Sequence, residues 1–227
     1  MGNVETVREE VTKLLSSDNS GHGMDHINRV EKLALLISED ANNELVSAIA
    51  LLHDADDYKL FGLECSENLT NTKNILAKTS FTLDEKNIIL SSIKTIGYSK
   101  RIAGITPSIK EAMIVSDADM LDAMGAVGIL RSHHYNITHG NPFFDEAEFP
   151  TLGIDAEVYK KKTKGTVVNH IFEKILRLKD MMLTEKGKAE ALRRYEFLVS
   201  FLSEFFDEVD APEWQEYLKK YINGGIK

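Results

Sequence analysis

The chain of 227 residues is predicted to be all-α. Three observations carry that prediction. Apolar residues recur at spacings of three and four through most of the length, no two stretches of strict alternation read as a strand pair, and the helix breakers cluster between the periodic stretches. No internal repeat and no Pro/Gly/Ser-rich linker divides the chain, so a single domain over 1–227 is expected despite a length above the usual domain size.

The elements follow in order. Val4, Val7, Val11, Leu14 and Leu15 predict a first helix, closed by the breaker-rich run Ser16 to Gly21. From about Met24 to Asp40, Ile27, Val30, Leu33, Ala34 and Ile37 predict a second, with His26 at the edge of its buried stripe. Leu45, Val46, Ile49, Ala50 and Leu52 make the most hydrophobic helix, and His53 and Asp54 leave its core-facing side, four residues after Ile49 and Ala50. A short helix is expected over 66–78, and Thr82-x-x-Glu85 is a capping box opening another through about Thr95. Gly97 to Gly104 reads as a loop carrying Tyr98, Lys100 and Arg101. Thr106-Pro107 predicts the start of a long helix through Met113, Val115, Leu121 and Ile129, in which Asp119, Asp122 and Ala126 share one face. The stretch from about Tyr135 to Ala156 is the longest irregular segment, either a lid or a passive surface excursion. Helical spacing returns from Val168 to Leu178 and from about Lys188 to Phe206, with a short amphipathic tail after Pro212.

Composition narrows function by exclusion. A content of 43% hydrophobic and 28% charged residues is that of an ordinary soluble globule, and no apolar run of about 18 residues or signal-like start appears, so a cytoplasmic protein without membrane attachment is expected. Cys65 is the only cysteine, which removes an internal disulfide and any thiolate cluster. A metal would therefore have to be held by His and carboxylates. The net charge of −9 argues against a nucleic-acid polymer as partner. It does not exclude a small anion, because a divalent cation and a few local Lys or Arg can reverse the field inside a pocket.

Those His and carboxylates fall in three places: His22 and His26 in GHGMDHINRV, His53-Asp54 in LLHDADD, and Asp117 and Asp119 in SDADMLDAMGAVGILR. A lone His-Asp dipeptide is expected roughly 0.5 times by chance in a chain of this size and composition, so it proves nothing alone. Its setting is more informative: after an apolar run, and followed by Asp56 and Asp57, it gathers four ionisable groups at one helix end, which is costly unless a cation neutralises them. Asp117 and Asp119 lie about 200° apart on a helix, so only one of them should reach a metal. His26 is the better ligand of its pair. His22, flanked by Gly21 and Gly23, either supports the metal's ligands or faces the substrate, or else caps the helix.

Taken together, the order formed by His26, His53-Asp54 and a distant helical Asp resembles the HD superfamily of metal-dependent phosphohydrolases. The segments quoted above, with NHIFEKILRLKDMM further on, resemble a branch of small bacterial and archaeal HD hydrolases that includes nucleoside-triphosphate pyrophosphohydrolases. The resemblance runs from about His22 to Phe206. It implies an HD-domain helical bundle with a core over about 22–131 and extra C-terminal helices over about 156–223 packed on it. It also implies that His26, His53, Asp54 and Asp119 are the metal ligands, since Ala118-Asp119-Met120-Leu121 matches the family's last motif better than Asp117 does. Asp117 then becomes a helix-start or hydrogen-bonding residue.

Two imidazoles and two carboxylates suit one divalent transition ion, Mn, Fe, Co, Ni or Zn, and suit Mg less because that ion prefers oxygen ligands. Asp57, one turn beyond His53-Asp54, either orients or deprotonates the attacking water or is a capping carboxylate. Among the cations, Lys100, Arg131 and His170 are the candidates for substrate phosphate, the last two because the resemblance extends through both. His133, His134 and His139 form a patch that is either a weak second metal site or an ordinary polar loop. The implied reaction is hydrolysis of a phosphoanhydride or phosphoester in a small nucleotide, for instance a triphosphate to monophosphate and pyrophosphate. Alternatives are a nucleotide monophosphatase, a cyclic-nucleotide phosphodiesterase and, from another class, a nucleotide sensor without turnover. A homodimer is allowed.

Overall fold

The computed structural model describes residues 2–16, 23–153 and 165–225, and among them helix is the only regular secondary structure. The chain divides into two compact units, Met1–Asp122 with Leu183–Gly187, and Ala123–Met182 with Lys188–Lys227. No helix among the described residues is long and apolar enough to cross a membrane.

The first unit is organised by its most hydrophobic helix. α1 (Asn3–Leu15) and α2 (Met24–Ile37) are amphipathic and bury one stripe each, whereas α3 (Asn43–Leu52) buries every residue from Leu45 to Leu52. A helix apolar on all sides must be surrounded. α3 accordingly packs against α1, α2, α6 (Leu83–Ile93) and α8 (Lys110–Asp122). The carboxamide of Asn42 starts it by accepting from the amides of Glu44 and Leu45. At α6 the capping box is complete: the Thr82 hydroxyl accepts from Glu85 N–H and the Glu85 carboxylate accepts from Thr82 N–H. Thr82→Ala is expected to cost about 1 kcal/mol, read as a melting-temperature drop of about 2–4 °C by calorimetry.

Between these lie elements that differ from the sequence reading. α4 (Tyr58–Asn68) and α5 (Thr70–Leu76) replace the single helix expected over 66–78, with a break at Leu69, whose φ is +51°. α4 buries no residue, so it carries no apolar stripe by which to be recognised. The expected loop Gly97 to Gly104 contains a short helix, α7 (Tyr98–Ile102). The long helix expected from Pro107 to Ile129 starts only at Lys110 and stops at Asp122, and α9 (Gly125–Thr138) begins anew. Met124 is extended and Gly125 sits at φ +71°, a left-handed conformation that no right-handed helix can pass through.

The second unit begins with α9, which extends through Thr138, so the irregular segment starts at His139 rather than at Tyr135. α10 (Val167–Glu173) and a 3-10 turn (Ile175–Met181) stand where one helix was expected, separated by non-helical Lys174. α11 (Glu185–Glu208) and α12 (Pro212–Ile222) follow. Their shared core is aromatic: fully buried Trp214 lies among Phe144, Phe172, Phe206 and Tyr217 at ring-centroid distances of 5.1–6.2 Å. Its indole N–H donates to Glu146 O at 3.0 Å, which satisfies the ring's polar group within the core.

Candidate metal centre

Three segments of the first unit deliver the site. His26 lies in the first turn of α2, His53 is the C-terminal cap of α3 with Asp54 in the turn after it, and Asp119 lies in α8. Nε2 of His26 and Nε2 of His53 are 3.3 Å apart. Asp54 Oδ2 is 3.6 Å from each of them, and Asp119 Oδ1 is 3.5 Å from the first and 3.9 Å from the second. Donor atoms of His26, His53 and Asp119 all lie within 4.8 Å of one another. The two imidazoles are 2–3% exposed and the carboxylates 15% and 23%, so the donors open toward solvent on the acid side only.

Hydrogen bonds decide what these atoms offer. Nδ1 of His53 lies 2.7 Å from Ala50 O, and Nδ1 of His26 lies 2.8 Å from Asp122 Oδ2. Each Nδ1 faces an acceptor and so carries the ring proton, which leaves a lone pair on each Nε2. Burial also pushes His26 below the usual histidine range, toward the neutral, ligating form. The two lone pairs and the Asp119 carboxylate thus converge, with Asp54 Oδ2 within 3.6 Å of both rings, and two neutral with two anionic donors would balance a dication. Donors about 2.1 Å from one ion and about 90–110° apart are separated by roughly 3.0–3.4 Å, close to the spacings seen. The donor set fits a divalent metal.

Of the two ligand candidates that the sequence offers on α8, Asp117 is fully buried and points elsewhere. It accepts from Leu183 N–H at 2.9 Å, Thr184 N–H at 2.7 Å and the Thr184 hydroxyl at 2.8 Å, a hydrogen-bonding role. Burial raises its carboxyl above the ordinary range, against the pull of those donors. Asp56 is likewise satisfied by protein alone, accepting from the amides of Asn71 and Thr72 at 2.7 and 3.0 Å. Of the four ionisable groups that end α3, it is the one that the N-terminus of α5 neutralises.

Other sequence candidates are placed as follows. Asp57 is half-buried and caps α4, its Oδ1 accepting from Lys59 N–H at 2.9 Å. Lys100 is exposed on α7. Arg131, on α9, and His170, on α10, belong to the second unit. His22 lies outside the described residues. In the His-rich patch, His133 meets the Phe143 ring edge-on at 5.5 Å and His139 stacks on Tyr135 at 4.0 Å. Among the described residues these histidines are not gathered into a three-donor group. Missed at the centre were Asp122, which bonds His26, and Arg29, which bonds Asp122 at 2.7 Å. The signals were present: Asp122 shares a helix face with Asp119, and Arg29 follows His26 by three residues.

No family model matches the chain. Its sequence is 30% identical over 214 residues to YpgQ of Bacillus subtilis, an uncharacterized protein, covering 92% of this chain and 93% of that one. A solved structure from Lactobacillus plantarum is 32% identical with a TM-score of 0.78, covering 92% of this chain and 97% of its own. An HD-superfamily hydrolase from Bacillus thuringiensis is 30% identical with a TM-score of 0.71, again over 92% and 97%. The crystal structure of YpgQ in complex with ADP, aligned by structure, is 26% identical with a TM-score of 0.67 over 91% of this chain and 94% of that one. Likeness over nearly the full length, in a helical fold that gathers His26, His-Asp 53–54 and Asp119 from three separate segments, means that the chain belongs to the HD superfamily of metal-dependent phosphohydrolases.

Proposed function

We propose that this protein hydrolyses a phosphoanhydride or phosphoester bond in a small nucleotide, with one divalent transition ion held by His26, His53, Asp54 and Asp119. The observation that carries the reading is the convergence of the two Nε2 atoms, 3.3 Å apart, with the two carboxylates that flank them. A nucleotide is favoured as the substrate class because the similar protein YpgQ crystallises with ADP. Within that class, cleavage of a nucleoside triphosphate to monophosphate and pyrophosphate is the preferred reaction.

The chemistry that Mn, Fe, Co, Ni or Zn supplies at such a site is polarisation of a phosphoryl oxygen and a lowered pKa for water. The chain's own residues do the rest. His26 and His53 donate as neutral rings, their remaining protons held by Asp122 and Ala50. Asp57, one turn after Asp54 and fixed by its bond to the Lys59 amide, is the carboxylate that orients or deprotonates the attacking water. Lys100, exposed in the same unit, adds positive charge for a phosphate.

The test is a nucleotide panel assayed with each divalent metal and resolved by chromatography. Paired release of monophosphate and pyrophosphate is expected with a transition ion, lost on chelation and restored by Mn²⁺. Orthophosphate from monophosphates, or ring opening of a cyclic nucleotide, moves the assignment to the corresponding phosphatase or phosphodiesterase. Nucleotide binding without any product makes the protein a sensor and overturns the proposal.

A further inference from the structure

The acid at the back of the candidate metal centre is itself firmly held. Asp122 is 1% exposed, and its carboxylate is gripped from two directions. Oδ2 lies 2.8 Å from Nδ1 of His26, while Arg29 closes on the same group as a fork, Nε to Oδ1 at 2.7 Å and Nη2 to Oδ2 at 3.1 Å. Arg29 sits three residues after His26 on α2, and its side chain is 36% exposed. Two parallel bonds from a planar guanidinium fix both the position and the plane of the acid, and supply the charge that a buried carboxylate requires.

The two imidazoles are therefore oriented by different means. For His53 the partner is Ala50 O, a main-chain carbonyl three residues back, present whatever side chain stands there. For His26 the partner comes from α8, 96 residues away, and exists only because an acid occupies position 122. An imidazole rotates freely about χ2 and can exchange its tautomer; a bond from Nδ1 to a fixed acceptor removes both freedoms and leaves Nε2 bare toward the donors opposite.

We propose that Arg29 and Asp122 act as a positioning couple for the metal centre, holding the His26 ring in its ligating tautomer and plane and thereby setting the affinity for the ion. The inference rests on the four-donor reading given under Proposed function. Among the described contacts both residues meet the centre on the Nδ1 side of His26, so both act through that ring.

The experiment compares the wild type with Asp122→Asn, Arg29→Gln and His53→Ala. Each metal-stripped protein is titrated with Mn²⁺ by calorimetry, its Co²⁺ complex is examined by visible absorption, and its melting is followed without metal. Asparagine is isosteric with aspartate but can offer an N–H to Nδ1, which moves the ring proton to Nε2 and blocks the lone pair. Asp122→Asn is therefore expected to weaken Mn²⁺ binding about 10- to 100-fold and to change the Co²⁺ spectrum, while the metal-free melting temperature stays close to that of the wild type. Arg29→Gln, which loosens the acid from its more exposed side, is expected to weaken binding about 10-fold. A merely structural role would move the metal-free melting and leave the Co²⁺ spectrum alone. Should Asp122→Asn lose its metal-free melting transition, the Arg29→Gln titration decides. Variants that bind Mn²⁺ within about twofold of the wild type, with unchanged Co²⁺ spectra, overturn the couple while His53→Ala still abolishes binding. If His53→Ala binds as the wild type does, the four-donor reading itself fails.

Discussion

Asp54→Ala is expected to lower turnover by about three orders of magnitude or more, roughly 4 kcal/mol of transition-state stabilisation, with far-UV circular dichroism unchanged. The two halves of that result have separate causes. Asp54 lies in the turn after α3 with its carboxylate 15% exposed and Oδ2 at 3.6 Å from both ring nitrogens, so its loss removes one of two negative donors from the centre. The turn, by contrast, is held by its main chain, Asp54 O accepting from Asp57 N–H at 3.1 Å, and alanine preserves that bond. A donor set with two negative charges becomes one short of balancing a dication, so bound metal, measured by elemental analysis after dialysis, should fall with the rate. An Asp54→Ala protein that retains both its metal and its activity would remove the basis of the proposed chemistry.

The second large effect concerns stability. Phe206→Ala is expected to destabilise the second unit by about 3–5 kcal/mol. Phe206 is fully buried, and its ring lies 5.4 Å from Trp214, 5.8 Å from Phe144 and 6.5 Å from Phe172. The rings around it are large and mutually braced, so they cannot collapse into the hole, and the cavity term adds to the lost burial. Trp214 is the only tryptophan in the chain, which makes its fluorescence a reporter of this cluster alone. Urea unfolding followed by that emission should show the midpoint moving down with the slope preserved. A midpoint unchanged within error would mean that the aromatic cluster is not the core of that unit.

How much of this could be read beforehand varied with the physics of each part. Helices that bury a stripe or are buried all round, α1, α2, α3, α6 and α11, were legible because periodicity records burial. α4, with no buried residue, left no such record. The break between α8 and α9 went unseen because Gly125 reads equally as a small residue for close packing or as a left-handed hinge, and only the backbone, at φ +71°, distinguishes them. Among the ligand candidates, spacing alone could say that Asp117 and Asp119 diverge; the donors that engage Asp117 come from Leu183 and Thr184, more than sixty residues on, where no local pattern reaches. Asp122 and Arg29 were passed over for a related reason. Their role is defined by a bond between α2 and α8, and a pattern within one helix does not encode its partner.

That engagement of Asp117 has a consequence for the order in which the protein can be made. The first unit is not a continuous length of chain: it takes in Leu183–Gly187 after an excursion of sixty residues, and those few residues supply the amides and hydroxyl that occupy the acid two positions before Asp119. The fit is tight enough that a Cβ at Gly187 would collide with the Asp117 carboxylate and the Thr184 hydroxyl. On a ribosome, which releases the N-terminus first, the helix bearing Asp119 therefore waits with an unanswered buried acid until the strap emerges. Vectorial synthesis thus completes the first unit only once Gly187 has left the ribosome, and fragments that stop at Asp122 inherit every proposed ligand yet lack the piece that engages Asp117.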